Sequence, residues 1–328
     1  MTGAQRKTGV DTADGFINFY KPPGITSMDA VRRIKRLSGL RRKVGHAGTM
    51  DPLARGLLPI CVGQATRLMD YLVAGSKQYR MDIRLGAITN TYDAEGEVVE
   101  IGKVCGITRD RLEQAIESFV GVIQQTPPMY SAIKVQGQRL YKLARAGKEI
   151  ERAARTVEIY QIQILEFVPP LLTLLVDCGR GVYMRSLAHD LGQVLGCGGY
   201  VTDLERLRCG GFETGDSVTL EQLESGAESG PDRWAEHLQP VDAVLRKLRT
   251  LAAGPSAKRH LLNGQSVSFS QHPVDAEYLE SFRAYDEEGR FLALVRYDRA
   301  AGSWKPMKVF HLDSPSPYAP VTPNAEAT

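Results

Sequence analysis

Residues 45–68 of the 328-residue chain read GHAGTMDPLARGLLPICVGQATRL, the stretch whose residue types and spacing best suit chemistry. His46 and Asp51 stand in a turn punctuated by Gly45, Gly48, Pro52 and Gly56, just ahead of an apolar run. Glycine permits positive φ and close approach of backbone to a ligand, and Pro52 drives Asp51 out of the α region into an extended conformation. A carboxylate held that way can be aimed at a substrate as nucleophile or proton acceptor. Asp-Pro is also ordinary turn chemistry, with Asp51 bonding its own backbone and His46 packing nearby. The dipeptide alone therefore leaves both readings open.

The elements around this turn can be read from local patterns. GFINFYKPPG reads as a strand ending in a turn, and Ser27 is the expected N-cap of a helix with Met28, Val31, Ile34 and Leu37 at helical spacing and Gly39 as its stop. Tyr79, Met81, Ile83 and Leu85 alternate with Arg80, Asp82 and Arg84, the period of a half-buried strand. Thr108 is placed to cap a helix carrying Leu112, Ala115, Ile116 and Phe119, with Gly121 after it. Two β-rich runs, VEIYQIQILEF and LLTLLVDC, are joined by Pro169 and Pro170. Strands and helices interleave without βαβ regularity or a phosphate-binding glycine loop. The expected fold class is α+β, built on a mixed, mainly antiparallel sheet.

Residues 221–248 are Glu-rich and then helical in pattern, and read as the passage out of this first domain. After Gly254 the texture changes to short β-like pieces, SVSFS, SFRAYDEEGRFLALVRYD and WKPMKVFHL, with a hairpin signal at Asp286–Gly289. The expected organisation is a disordered lead over 1–14, a catalytic domain over 15–248, a small β-rich domain over 249–312 and a disordered tail over 313–328.

Net charge is only +3, so electrostatics must be read locally. Residues 32–43 carry Arg32, Arg33, Lys35, Arg36, Arg41, Arg42 and Lys43 without one acid. A second run holds Lys134, Arg139, Lys142, Arg145, Lys148, Arg152 and Arg155 against Glu149 and Glu151. Either alone reads as a solvated face; two such runs around the Asp51 motif favour a nucleic-acid partner. The five cysteines show no C-x-x-C pair or zinc spacing. Without an export signal or an apolar run near membrane length, the expectation is a cytoplasmic protein with no membrane partner.

The motif run has five ordered companions: FYKPPGITSMDAV, KQYRMDIRLGAITNTYDAEGE, PPMYSAIKVQGQRLYKLARAG, CGRGVYMRSLAHDLG and GCGGYVTDLERLRCGGF, over about residues 15–220. Together they resemble the TruB family of bacterial tRNA pseudouridine synthases. Ala47 and Arg55 depart from the small hydroxyl residues usual there, and Arg180 from a common lysine, none of them a catalytic side chain. The resemblance implies a pseudouridine synthase fold with a PUA-like C-terminal domain, and a cofactor-free, metal-free isomerase acting on uridine 55 of the tRNA T-loop. It implies Asp51 as nucleophile, Arg185 as the cation paired with it, and Tyr183 as the candidate for removing the C5 proton. Spacing places Tyr183 and Arg185 on one face of a strand, and the cation is expected to lower the Asp51 pKa.

The same resemblance implies Tyr79 stacking on the target base, His46 filling the space left by flipped loop bases, Lys21 at the site floor and Leu204 closing the pocket. By the same resemblance the second basic run is a thumb that moves when RNA binds, and the PUA-like domain grips the tRNA acceptor end. A monomer is expected. A tRNA-folding chaperone acting without catalysis is the alternative from another class. A metal-dependent nuclease built on Asp51, Asp70, Asp82 or Asp93 has no motif to gather its carboxylates.

Overall fold

The computed structural model describes residues 13–131, 133–135, 137–147, 150–229, 233–268 and 280–320. Strand β1 (Gly15–Lys21) turns at Pro22-Pro23-Gly24 into α1 (Ser27–Leu37). The N-cap is Thr26, not Ser27: the Thr26 hydroxyl accepts from the Asp29 N–H while the Asp29 carboxylate accepts from the Thr26 N–H, closing a capping box. Ala30, Val31 and Ile34 face the core, whereas Met28, expected on that stripe, is exposed; Arg32, Arg33, Lys35 and Arg36 point to solvent. Gly39 ends the helix in the left-handed conformation.

The chain continues through β2 (Val44–His46), β3 (Arg55–Val62), α2 (Met69–Ala74) and β4 (Lys77–Leu85), in which Met81, Ile83 and Leu85 are buried as the alternation required. A small hairpin, β5 (Ala87–Thr89) and β6 (Val98–Ile101), precedes α3 (Arg109–Glu117), whose cap is the Thr108 hydroxyl, and β7 (Gly121–Gln125). The segment read as a thumb carries β8 (Lys134–Val135), β9 (Gln138–Arg139) and α4 (Leu140–Arg145). Ala132, Gln136, Lys148 and Glu149 of that region lie outside the described residues. Then come β10 (Arg155–Val168), β11 (Leu171–Cys178), α5 (Met184–Leu195), β12 (Gly199–Cys209), β13 (Phe212–Glu213), α6 (Leu220–Ser229) and β14 (Leu238–Gln239).

Among the described residues ten strands form one sheet in the order β14-β1-β3-β12-β4-β11-β10-β7, with β2 on β3 and β13 on β12. The β3–β12 pair is parallel and the others antiparallel. Ile17, Phe19, Met81, Ile83, Leu174 and Val176 pack against Ile34 of α1, Leu112 of α3 and Leu187 and Leu191 of α5. This burial of sheet face against helix stripe supplies the main favourable contribution to folding.

Beyond this sheet, β15 (Thr250–Ala252), α7 (Pro255–Leu262), β16 (Ser281–Tyr285), β17 (Phe291–Asp298) and β18 (Ser303–Val309) form a four-stranded unit with its own core around Leu261, Phe282, Val295 and Trp304. Asp286–Gly289 is the β16–β17 turn, as the hairpin signal indicated. Phe269 and Ser270 of the SVSFS piece lie outside the described residues. A second cluster joins the two units, with Phe16, Leu68 and Leu72 packed against Leu245, Phe291 and Phe310.

The lead and tail depart from the expected disorder at their inner ends. The Asp14 carboxylate pairs with Arg42 and accepts from the Gln64 N–H at 2.6 Å. Ser316 donates to Asp242 at 2.7 Å, and its N–H donates to the Gly289 carbonyl at 2.8 Å. Residues 1–12 and 321–328 lie outside the described residues. No described helix is long and apolar enough to cross a membrane.

Candidate active site

A cleft of about 380 Å³ opens across the sheet. One wall is the loop Gly48–Asp51; Tyr79 of β4 and Leu204 and Arg206 of β12 form another; Arg180–Tyr183, between β11 and α5, with Met184 at the start of α5, close the third. Asp51, Tyr79, Tyr183 and Leu204 thus come together from four separate stretches of the sequence. His46 lies outside the lining, half-buried at the end of β2 opposite Ile60, where burial pushes its pKa down and favours the neutral ring.

The turn after β1 holds Asp51 on both sides. Ser27 is buried, its hydroxyl accepting from the Met50 N–H at 2.8 Å and donating to the Met50 carbonyl at 3.1 Å. On the other flank the Pro52 carbonyl accepts from the Gly24 N–H at 2.8 Å and from the Lys21 ammonium at 3.3 Å. Lys21 is fully buried and also donates to the carbonyls of Pro22 and Ile25. Burial pulls its pKa down to about 8 against the attraction of Asp51. The backbone on either side of Asp51 is therefore fixed by one short segment, and Ser27, misread as a cap, belongs to the site.

Arg185 lies in the first turn of α5, 4% exposed. Its guanidinium donates to Asp51 Oδ1 at 2.7 Å, to the Tyr130 carbonyl at 2.7 Å and to the Thr91 carbonyl at 3.2 Å, and stands 3.4 Å from the Asp93 carboxylate. One cation thus bridges two carboxylates. Asp93, itself buried, was named in the sequence only as a nuclease candidate; its Asx turn, accepting from the Glu95 N–H at 3.1 Å, was the local signal for its placement.

Arg185 acts on Asp51 in the expected direction, but a larger effect opposes it. Burial pushes the Asp51 pKa above its ordinary value; Arg185 acts in the opposite direction and Asp93 reinforces the rise. The cation keeps the carboxylate ionisable in a crowded site without bringing its pKa down to the solvent value.

Tyr183 is not on a strand. It is the residue before α5, and the side chain of Gln125 grips its backbone twice, accepting from the Tyr183 N–H at 2.8 Å and donating to its carbonyl at 3.1 Å. Tyr183 lines the cleft, and Arg185, buried outside the lining, reaches Asp51 from the first turn of α5. Burial raises the Tyr183 phenol above its usual pKa and lifts Tyr79 to about 12, so both rings stand neutral.

Arg206, which sequence reasoning passed over, is 1% exposed, and donates to the carbonyls of Leu57 at 2.6 Å and Gly48 at 3.2 Å. Period-2 placement beside Leu204 was the signal that could have found it. Gly56, at φ +101°, lets β3 pass Arg206 so closely that a Cβ would meet the Arg206 carbonyl oxygen at 2.4 Å.

This arrangement presents one carboxylate with a fixed cation, two neutral phenols and an apolar wall residue, Leu204. It suits nucleophilic or proton-transfer chemistry on a flat ring. Among the described residues no three His, Cys, Asp or Glu side chains gather as a metal cluster, and Asp51 and Asp93 meet around a guanidinium.

The chain is similar to known proteins over most of its length. Residues 35–184 match the model of the TruB family pseudouridylate synthase N-terminal domain, and residues 185–246 that of the tRNA pseudouridylate synthase B C-terminal domain. The chain is 41% identical over 281 residues to tRNA pseudouridine synthase B of Clostridium acetobutylicum, covering 86% of this chain and 94% of the relative. It is 42% identical over 292 residues to the Pseudomonas aeruginosa protein of the same name, covering 89% and 94%. Its fold is similar to a chain from the crystal structure of a Cbf5-Nop10-Gar1 complex, with a TM-score of 0.68 and 24% identity over 95% of this chain and 88% of that one.

Proposed function

The chain belongs to the TruB family of pseudouridylate synthases and is itself a pseudouridine synthase, and on that premise we propose that it converts uridine 55 of the tRNA T-loop to pseudouridine with Asp51 as the reacting carboxylate. The observation that carries this reading is the 2.7 Å contact of Arg185 with Asp51 inside the cleft. The base must leave the RNA stack to reach a carboxylate in this cleft, a step that costs a few kcal/mol and is offset by stacking and backbone contacts.

In this reading Tyr79 stacks on the flipped base and Leu204 closes over it, while His46 fills the space left by the flipped loop bases. Asp51 attacks C1′ or C6 or takes the C2′ proton, and the N1–C1′ bond breaks. After rotation the base rejoins through C5, and the C5 proton leaves by way of Tyr183. Because that phenol is neutral and its pKa is raised, the proton passes through it only in concert with an acceptor, Asp51 or water. The exposed arginines and lysines of α1 meet phosphates, the 127–147 segment closes over the loop, and the C-terminal β-rich unit acts as a PUA-like domain on the acceptor end. The protein works as a cytoplasmic monomer without metal or cofactor.

The test is tritium release from full-length tRNA labelled at uridine C5. One equivalent per tRNA is expected, unaffected by chelator and abolished when uridine 55 is replaced by cytidine. Release that survives that replacement would overturn the proposed target.

The clamp around Asp51 makes a second prediction. Ser27→Ala frees the Met50 backbone and is expected to lower kcat by about tenfold with tRNA affinity unchanged. Thr26→Ala, one residue away, removes only the helix cap and should cost ~1 kcal/mol of stability while kcat holds. Single-turnover rates beside denaturation curves separate the two.

A further inference from the structure

Tyr92 is the one described non-glycine residue with positive φ, at 64°. Side chains rarely adopt this conformation, and an aromatic residue persists there only when its surroundings hold it. Three contacts do so. The Tyr92 N–H donates to the Thr89 carbonyl at 3.2 Å, its carbonyl accepts from the Val201 N–H at 3.1 Å, and its ring stacks on His189 with centroids 3.9 Å apart and planes at 11°.

The neighbours of Tyr92 give this strain a purpose. Thr91 and Asp93, immediately before and after it, are the two residues of this loop that hold the guanidinium of Arg185, through a carbonyl at 3.2 Å and a carboxylate at 3.4 Å. His189 lies on α5 four residues after Arg185, hence one turn along the same face. The loop therefore grips one helix face at two points. The left-handed turn at residue 92 sends the ring toward His189 while the residues on either side address Arg185. A core aromatic would need neither the positive φ nor this placement.

We infer that Tyr92 and His189 are positioning residues: their stack fixes the 91–93 loop against α5 so that Arg185 meets Asp51 in one geometry. Neither touches the substrate. This inference rests on the proposed role of the Asp51–Arg185 pair, and extends it to two side chains remote from the reacting base.

The experiment compares Tyr92→Phe, Tyr92→Gly, His189→Ala and the Tyr92→Gly/His189→Ala double variant by single-turnover tritium release across pH, with tRNA affinity measured by filter binding. Wild type and Asp51→Asn run beside them. Tyr92→Phe keeps the stack and should stay within about twofold of wild type. Tyr92→Gly adopts the same backbone without strain but loses the ring. It should lose about tenfold to a hundredfold in kcat with affinity unchanged, and its acid limb should move to higher pH as Arg185 loosens from Asp51.

His189→Ala should match Tyr92→Gly, and the double variant should be no worse than either single one, as expected for two halves of one contact. Wild-type kcat in Tyr92→Gly, or a loss in Tyr92→Gly that Tyr92→Phe shares, overturns the inference, as does a fully additive double variant. Release by Asp51→Asn at the wild-type rate instead overturns the reading of the pair itself.

Discussion

Asp51→Asn is expected to reduce pseudouridine formation by about ten-thousandfold or more while tRNA binding stays within a few-fold of wild type. The amide keeps the shape and most hydrogen-bonding capacity of the carboxylate but can neither act as a nucleophile nor accept a proton, and losing a reacting group of this kind costs rate on that order. Affinity is expected to survive because the groups proposed to hold RNA, the basic face of α1 and Tyr79, are untouched.

Stability should not fall, and the sign follows from the pKa. Asp51 is raised by burial, so the native state binds its proton more tightly than the unfolded chain does. The resulting contribution is favourable at low pH and is lost as pH rises from the unfolded value through the folded one; at neutral pH the ionised carboxylate is a cost that asparagine removes. Thermal unfolding at pH 7 should therefore give a Tm for Asp51→Asn at or above that of wild type. A variant that binds tRNA, unfolds normally and still isomerises would remove Asp51 from the chemistry. A protein whose benefit came from folding tRNA alone would tolerate this substitution.

Arg185→Met is expected to lose kcat by about a hundredfold to a thousandfold, the effect of deleting one preorganised electrostatic partner from beside the reacting group. It leaves two carboxylates facing each other, with Asp93 only 3% exposed, and breaking such a buried pair by deleting one partner costs about 3–5 kcal/mol. Arg185→Lys keeps the charge without the fork and separates the two effects. It should fold more stably than Arg185→Met, yet recover only part of the rate, because one ammonium cannot reach Asp51, Asp93, Thr91 and Tyr130 together.

The pH profile carries the sharper signature. In the proposed role Asp51 must be ionised to react, so activity is expected to fall as pH drops through a pKa raised above its ordinary value. Removing the cation that opposes this rise moves the acid limb of kcat further up. An unchanged limb in Arg185→Met would mean that the guanidinium organises the loop at residues 91–93 without acting on the Asp51 charge.

Local patterns in the sequence carried much of the framework. Alternation in Tyr79–Leu85 fixed which face of β4 is buried, the Asp286–Gly289 turn fixed a hairpin, and Thr108 and Gly39 marked helix ends, because each depends on backbone preferences within a few residues. The Gly-Pro punctuation around Asp51 drew attention, for the same reason, to a carboxylate that lines the cleft. Mistakes came where two local solutions were equally good. Thr26 and Ser27 can both cap a helix, and only the position of Met50 decides that Ser27 turns inward. Tyr183 and Arg185 share a face under strand spacing, yet a helix starts between them.

By itself, then, the sequence determined most of the elements and the family, and singled out Asp51 for the proposed chemistry, since these follow from short-range backbone preference and from motif order. The tertiary structure alone decided that Arg185 bridges Asp51 and Asp93, that Gln125 holds Tyr183, that Arg206 braces Gly48 and that the ring of Tyr92 lands on His189. It also decided the direction of the Asp51 pKa. The physical reason is common to all of these: partner choice and desolvation depend on every group within a few ångströms, and those groups come from strands and helices that adjoin only after the sheet has assembled.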